Sequence, residues 1–214
     1  MKVKKETALK MAQFLLQIKA IKLNLEQPYT WASGWKSPIY CDNRITLSYP
    51  VIRTYIRQQF AELINDDFGD IDLIAGVATG GIAHGVLVAQ DMGLPFAYVR
   101  SSAKGHGLTN SIEGVVESGQ SVIVIEDLIS TGGSSLKVVE ALREAGANVK
   151  GLVSIFNYGF QVADDTFKDA ACMVHSLSDY NFLIEQALVD GFIREADMAV
   201  LKKWRENPAD WNNK

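Results

Sequence analysis

Near residue 70 the apolar positions along the chain change their period, and with it the kind of element they predict. Before that point Leu9, Phe14, Leu15, Ile18, Ile21 and Leu25 recur at near-helical spacing, which predicts an amphipathic surface helix over residues 7–24. Pro50, after Ser48 and Tyr49, marks a second helix start, and Val51, Ile52, Tyr55, Ile56, Phe60 and Leu63 continue it towards Phe68. Between the two, residues 28–42 hold Gly34, Pro38, aromatics and β-formers. They predict a short irregular hairpin outside the main sheet, a hood or cap over about residues 25–45.

From Ile71 onward, short apolar runs alternate with helical stretches. IDLIAGV, FAYVR, SVIVIED, VKGLVSIFN and CMVHSL read as strands, and residues 81–92, 134–145 and 161–169 as helices. Strands apolar on both faces, separated by helices, predict an α/β fold with a mainly parallel central sheet flanked by helices. Ligands of such sheets lie at the carboxyl ends of the strands. Residues 179–205 predict closing helices, and the tail after Pro208 a frayed end. With no repeat, low-complexity segment or long linker, the expectation is a single domain over residues 1–214.

Composition narrows the partners. A formal charge of -4 and a pI near 5.4 exclude a general nucleic-acid or anionic-membrane surface, which would need clustered excess Lys and Arg. Cys41 and Cys172 form no CxxC pair and have no His at ligand spacing, so neither a disulfide framework nor a zinc site is predicted. The N-terminus, with Lys2, Lys4, Lys5 and Glu6, lacks the apolar core of a signal peptide, and no run is long enough to span a bilayer. A soluble cytoplasmic protein is expected.

The segment richest in chemistry is VIVIEDLISTGGS, residues 122–134: a strand, two adjacent carboxylates, then a Ser, Thr and Gly turn opening a helix. Free backbone N–H groups and the positive dipole end of that helix favour a phosphate, and Gly132 and Gly133 allow close approach. Ser130, Thr131 and Ser134 add hydroxyl donors. Glu126 and Asp127, at the strand end, suit two adjacent sugar hydroxyls, or a magnesium ion held mainly by substrate oxygens. The same residue types also make an ordinary capped turn. A second Gly-rich turn, GVATGG at 76–81, offers amides to a pyrophosphate around Thr79 and Gly80; it is neither a Walker A motif nor a GxGxxG fingerprint.

A hydrophobic run, an acidic pair and TGG(S/T) resemble the signature of type I phosphoribosyltransferases, which bind phosphoribosyl pyrophosphate (PRPP). That resemblance implies a PRPP site at Thr79 and Gly80 and at Glu126, Asp127, Leu128, Ile129, Ser130, Thr131, Gly132, Gly133 and Ser134. It also implies an unusual peptide bond before Thr79. Two further stretches narrow the resemblance to orotate phosphoribosyltransferases. RSSAKGHGLTN, residues 100–110, is similar to a catalytic lid in which Arg100, Lys104 and His106 neutralise departing pyrophosphate; Asp127, at the ribose hydroxyls, is the fourth catalytic candidate. In the family this lid reaches the neighbouring subunit's site, which implies a homodimer and a loop over 101–111 acting in trans. YTWASGWKSPIYCDNR, residues 29–44, is similar to the family's SG-x-KSP-x-Y stretch, and makes Ser33, Lys36 and Tyr40 candidates for the base.

Some members place Lys where Ala32, Gly80 and Ser101 stand here, and an orotate-binding Arg where Tyr158 stands. Without these side chains, the orotate carboxylate would be held by amides near Ser130 and by Arg44. The reading that follows is magnesium-dependent transfer of ribose 5-phosphate from PRPP to orotate. A transferase for another base would share 122–134 but not the cap or the RxxxKxH loop. A PRPP-binding regulator would need a basic face, against 21 basic and 25 acidic residues here. His84 and His175 read as structural, Glu113 and Glu117 as solvated residues flanking a turn, and Trp31, Trp35 and Tyr40 also suit core packing.

Overall fold

The computed structural model describes residues 4–31, 33–100 and 111–211. Helix α1 (Lys5–Gln17) is followed by strands β1 (Ile21–Leu23), β2 (Tyr29–Thr30), β3 (Lys36–Ser37) and β4 (Ile39–Cys41), a 3-10 turn over Asn43–Ser48, and helix α2 (Pro50–Asp67). Then come β5 (Leu73–Ala78), α3 (Gly80–Met92), β6 (Phe96–Arg100), β7 (Ile112–Glu113), β8 (Ser121–Ile129), α4 (Gly133–Glu144), β9 (Asn148–Asn157), α5 (Gln161–Asp169) and β10 (Val174–Asp179). Helices α6 (Tyr180–Val189) and α7 (Met198–Glu206) close the chain.

The sheet order is β10-β9-β8-β5-β6-β7, parallel except for β7, which runs antiparallel to β6 at the edge. Alternation along the strands divides the core. Ile123 and Ile125 of β8 face the layer built by α1, α2, α3, α6 and α7, whereas Val122 and Val124 face α4 and α5. Burial on both faces explains why these strands read as continuous apolar runs.

The N-terminal helix is shorter than its apolar spacing predicts. It ends at Gln17, Lys19 adopts a left-handed φ of 58°, and Ile21–Leu23 then pair antiparallel with Ile39–Cys41. Ile21 therefore reaches the core from a strand. The hood is two small antiparallel pairs, β1 with β4 and β2 with β3. It is tied down by indoles: Trp31 Nε1 donates to Ile39 O at 3.1 Å, and Trp204 Nε1 of α7 donates to Lys36 O at 3.1 Å. The Trp31 ring lies 5.1 Å from Tyr158 and 5.7 Å from Trp204, so its packing role is real. The chain end differs from its expected fraying, since Trp211 is buried in this core. Among the described residues no helix is long and apolar enough to cross a membrane.

Candidate active site

Strands β5 and β8 are neighbours, and the chain leaves them in opposite directions across the sheet, β8 towards β9 and β5 towards β6. Loops after such strands diverge and leave a crevice between them. The β5 loop contains a cis peptide between Ala78 and Thr79 and leads into α3 at Gly80. The β8 loop passes through Gly132, whose φ of 81° lies in the left-handed region, before α4 begins at Gly133. A Cβ at Gly132 would sit 2.7 Å from the Phe167 ring, so conformation and space both demand glycine there. The turn encloses a cavity of about 70 Å3 lined by Ser130, Thr131, Gly132, Gly133 and Ser134. The first N–H groups of α4 have no acceptor within the helix, which suits this cavity to a phosphate.

The acidic pair divides its labour. Glu126 is buried, and both its oxygens are taken: Oε1 accepts from the Asp127 N–H at 3.0 Å and Oε2 from Ser135 Oγ at 2.8 Å. Asp127 is half-buried and lines the cleft. Burial and the neighbouring Asp127 charge push the Glu126 carboxyl well above the usual carboxylate range, and burial raises Asp127 as well. A carboxyl raised by folding stabilises the fold below its unfolded pKa, and this contribution is lost as pH rises through the folded pKa. Above its unfolded pKa the raised Glu126 carboxyl therefore costs stability. Glu126→Gln is expected to raise Tm by roughly 2–4 °C at neutral pH, the shift of ~1 kcal/mol in a chain of this size. The gain should shrink on acidification; calorimetry at several pH values checks it.

The main cleft, of about 390 Å3, is lined by Cys41, Arg44, Thr79, Gly80, Glu126, Asp127 and Ser134 among others. A second, of about 340 Å3, is lined by Thr30, Trp31, Tyr40, Cys41, Leu128, Ser130 and Tyr158. They share Cys41 and Leu128, so the two clefts adjoin. The first presents carboxylates, hydroxyls and glycine backbone; the second is an aromatic slot with hydroxyl groups at its wall, suited to a planar heterocycle.

Arg44 stands on the first cleft, where Asp42 takes its Nε and Nη2 at 2.7 and 2.9 Å. Lys36 Nζ donates to Thr30 Oγ1 at 2.7 Å at the rim of the aromatic slot, and Tyr40 is 41% exposed there. Ser33 lies on the hairpin, its Oγ accepting from the Trp35 N–H at 3.4 Å, and is not among the slot's lining residues. Arg100 ends β6 and pairs with Glu113 at 3.1 Å. Glu113 is exposed, as expected of a solvated residue, and the unforeseen strand β7 also carries it to the cation. Lys104 and His106, and the departures at Ala32 and Ser101, lie outside the described residues. Asn43, Thr46 and Ser135, absent from the sequence-based candidates, prove to contact the site's framework.

Fold and crevice together define a phosphoribosyl transferase domain, and the model of the family so described matches residues 49–185. An orotate phosphoribosyltransferase of Phocaeicola vulgatus is 54% identical over 200 residues, covering 94% of each chain. This chain belongs to the orotate phosphoribosyltransferase family. Among solved structures, the orotate phosphoribosyltransferase from Aeropyrum pernix aligns with a TM-score of 0.74 at 25% identity, over 86% of this chain and 99% of that one. Leishmania donovani UMP synthase aligns with a TM-score of 0.78 at 24% identity, and shows the fold alone. There 92% of this chain covers 42% of that longer one.

Proposed function

We propose that this chain transfers the 5-phosphoribosyl group from PRPP to orotate, giving orotidine 5'-monophosphate and pyrophosphate in pyrimidine biosynthesis. The observation that carries this reading is the adjoining of a phosphate-competent crevice and an aromatic slot in a member of this family. The 5-phosphate lies in the turn of Ser130, Thr131, Gly132, Gly133 and Ser134, and the ribose hydroxyls donate to Asp127. The pyrophosphate faces Thr79 and Gly80. Orotate occupies the slot between Trp31, Tyr40 and Tyr158, with Lys36 at the rim and Ser130 backbone near its carboxylate. The anomeric carbon then lies where the clefts meet, by Cys41 and Leu128.

As the bond to pyrophosphate breaks and the bond to the orotate nitrogen forms, positive charge develops on the ribose and negative charge on the leaving group. The protein positions both reactants and stabilises these charges; it supplies no nucleophile. Arg100, Lys104 and His106 act on the pyrophosphate, and in a homodimer the 101–111 loop acts in trans at the partner subunit's cleft. Closure of such a lid excludes the water that competes for the ribosyl cation. Among the described residues no group of three or more His, Cys, Asp or Glu side chains is placed to hold a metal. Asp127, with PRPP oxygens supplying the other ligands, fits magnesium. Bound magnesium supplies neutralisation of the pyrophosphate charge. The remaining assignments, one domain over 1–214 and a cytoplasmic setting, follow the same reading.

Lys104→Ala is expected to lower kcat about a hundredfold with a small change in PRPP affinity, because its charge matters most as pyrophosphate departs. Steady-state kinetics and PRPP titration separate the two; equal loss in both would remove Lys104 from the chemical step. The function itself is tested by the fall in orotate absorbance with PRPP and magnesium, with uracil, hypoxanthine and adenine in parallel. Orotate-specific consumption supports the reading, and turnover of another base alone overturns it.

A further inference from the structure

Behind the crevice runs a buried polar chain that the reaction described so far does not use. Asn43, Thr46 and His84 are 0%, 0% and 1% exposed. Asn43 Nδ2 donates to the main-chain oxygen of Asp127 at 2.6 Å, and the Cys41 thiol donates to Asn43 Oδ1 at 3.2 Å. The main-chain oxygen of Asn43 accepts from Thr46 Oγ1, which lies 3.1 Å from His84 Nε2. A hydroxyl has one proton, and that of Thr46 is committed to Asn43, so His84 Nε2 must carry a hydrogen and donate it. Burial, with the Arg53 charge second, depresses His84 to about 4, so the ring is neutral in the working range. Among the described residues its Nδ1 has no hydrogen-bond partner.

The chain thus runs in one direction from the His84 ring through the Thr46 hydroxyl to the Asn43 backbone, while the Asn43 amide reaches Asp127. It ties together the three segments that make the crevice. His84 stands one turn into α3, the helix that opens at Gly80; Asn43 and Thr46 form the turn at the foot of the hood; Asp127 lies in β8, two positions before its end at Ile129. Asp127 is pinned at both ends of its backbone, its N–H by Glu126 and its oxygen by Asn43. An unpaired polar group at these depths costs more than the bond it loses, so the chain resists any change in the spacing of the three segments.

We propose that Asn43, Thr46 and His84 are positioning residues that set the distance between the pyrophosphate loop and Asp127, and through it the affinity for PRPP. This rests on the reading of the crevice as a PRPP site. Packing alone would need only volume at these positions, whereas positioning needs the hydrogen bonds. Calorimetric titration of PRPP with magnesium, beside Tm, is therefore made on paired variants. Thr46→Val keeps the shape and loses the hydroxyl, while Thr46→Ser keeps the hydroxyl and loses a methyl. His84→Leu removes the donor, and His84→Gln restores an N–H near the same place.

Thr46→Val and His84→Leu are each expected to weaken PRPP binding about tenfold, and the Ser and Gln variants to stay within about twofold of wild type. The Val and Leu changes combined should cost little more than either alone, since both break one chain. Affinity that follows side-chain volume or Tm instead of the hydrogen bond overturns the proposal, and the His84 pair decides it should Thr46→Val fail to fold. Affinity is independent of the acceptor, so a wild type that binds PRPP but refuses orotate overturns the base assignment and leaves this result standing. A wild type that binds no PRPP overturns both.

Discussion

Asp127→Asn is expected to lower kcat/KM for PRPP about a thousandfold, the upper end of what a single stabilising group contributes at a reacting centre. Both carboxyl groups line the cleft, but each oxygen of buried Glu126 already accepts a bond, from the Asp127 N–H and from Ser135, so the more exposed Asp127 is the better placed acceptor. The change to Asn keeps shape and one acceptor oxygen, but it places an N–H2 donor where ribose hydroxyls need an acceptor. It also removes the charge that balances the developing ribosyl cation. The same residue should govern pH dependence. Because burial raises Asp127, it takes up its proton at higher pH than an ordinary carboxylate near 4. PRPP affinity is therefore expected to fall on acidification from above that value, and the Asn variant to lose this limb. An Asn variant with near-wild-type kcat/KM, or with the acid limb intact, would assign both roles to other groups.

The sequence made the two glycine-rich loops after β5 and β8 legible because their pattern is local: a strand end, small residues and a helix start lie within about ten positions of one another. The parallel strands were legible for a related reason, burial on both faces. What could not be read depends on distant pairing. Strand β1 lies in a segment whose apolar spacing also suits a helix, and only the partner at Ile39–Cys41 decides between them. Strand β7 is two residues long and exists through its register with Tyr98 and Val99, so nothing in its composition announces that Glu113 will meet Arg100. The bond from Asn43 to Asp127 spans 84 positions and that from Thr46 to His84 spans 38, beyond any motif. The helix setting of His84 predicts a structural role, and its contact with Thr46 shows which structure it supports.

Gly80→Ala carries the second large effect, and it sets two physical terms against each other. At the start of α3, Ala is the better helix former by about 1 kcal/mol, so the fold should hold or gain stability. Yet a Cβ at Gly80 would overlap the carboxyl group of Asp127, and that carboxyl must turn away or α3 must move. Either response displaces the acceptor for the ribose from the amides that face pyrophosphate. PRPP affinity is expected to fall roughly a hundredfold while Tm is unchanged or higher, as for misplacement of a group by about an ångström. A double-mutant cycle isolates the cause: once Asp127→Ala has removed the carboxyl, Gly80→Ala should cost little further affinity. If it costs as much in that background, the damage runs through the loop backbone, and Asp127 is not what glycine protects.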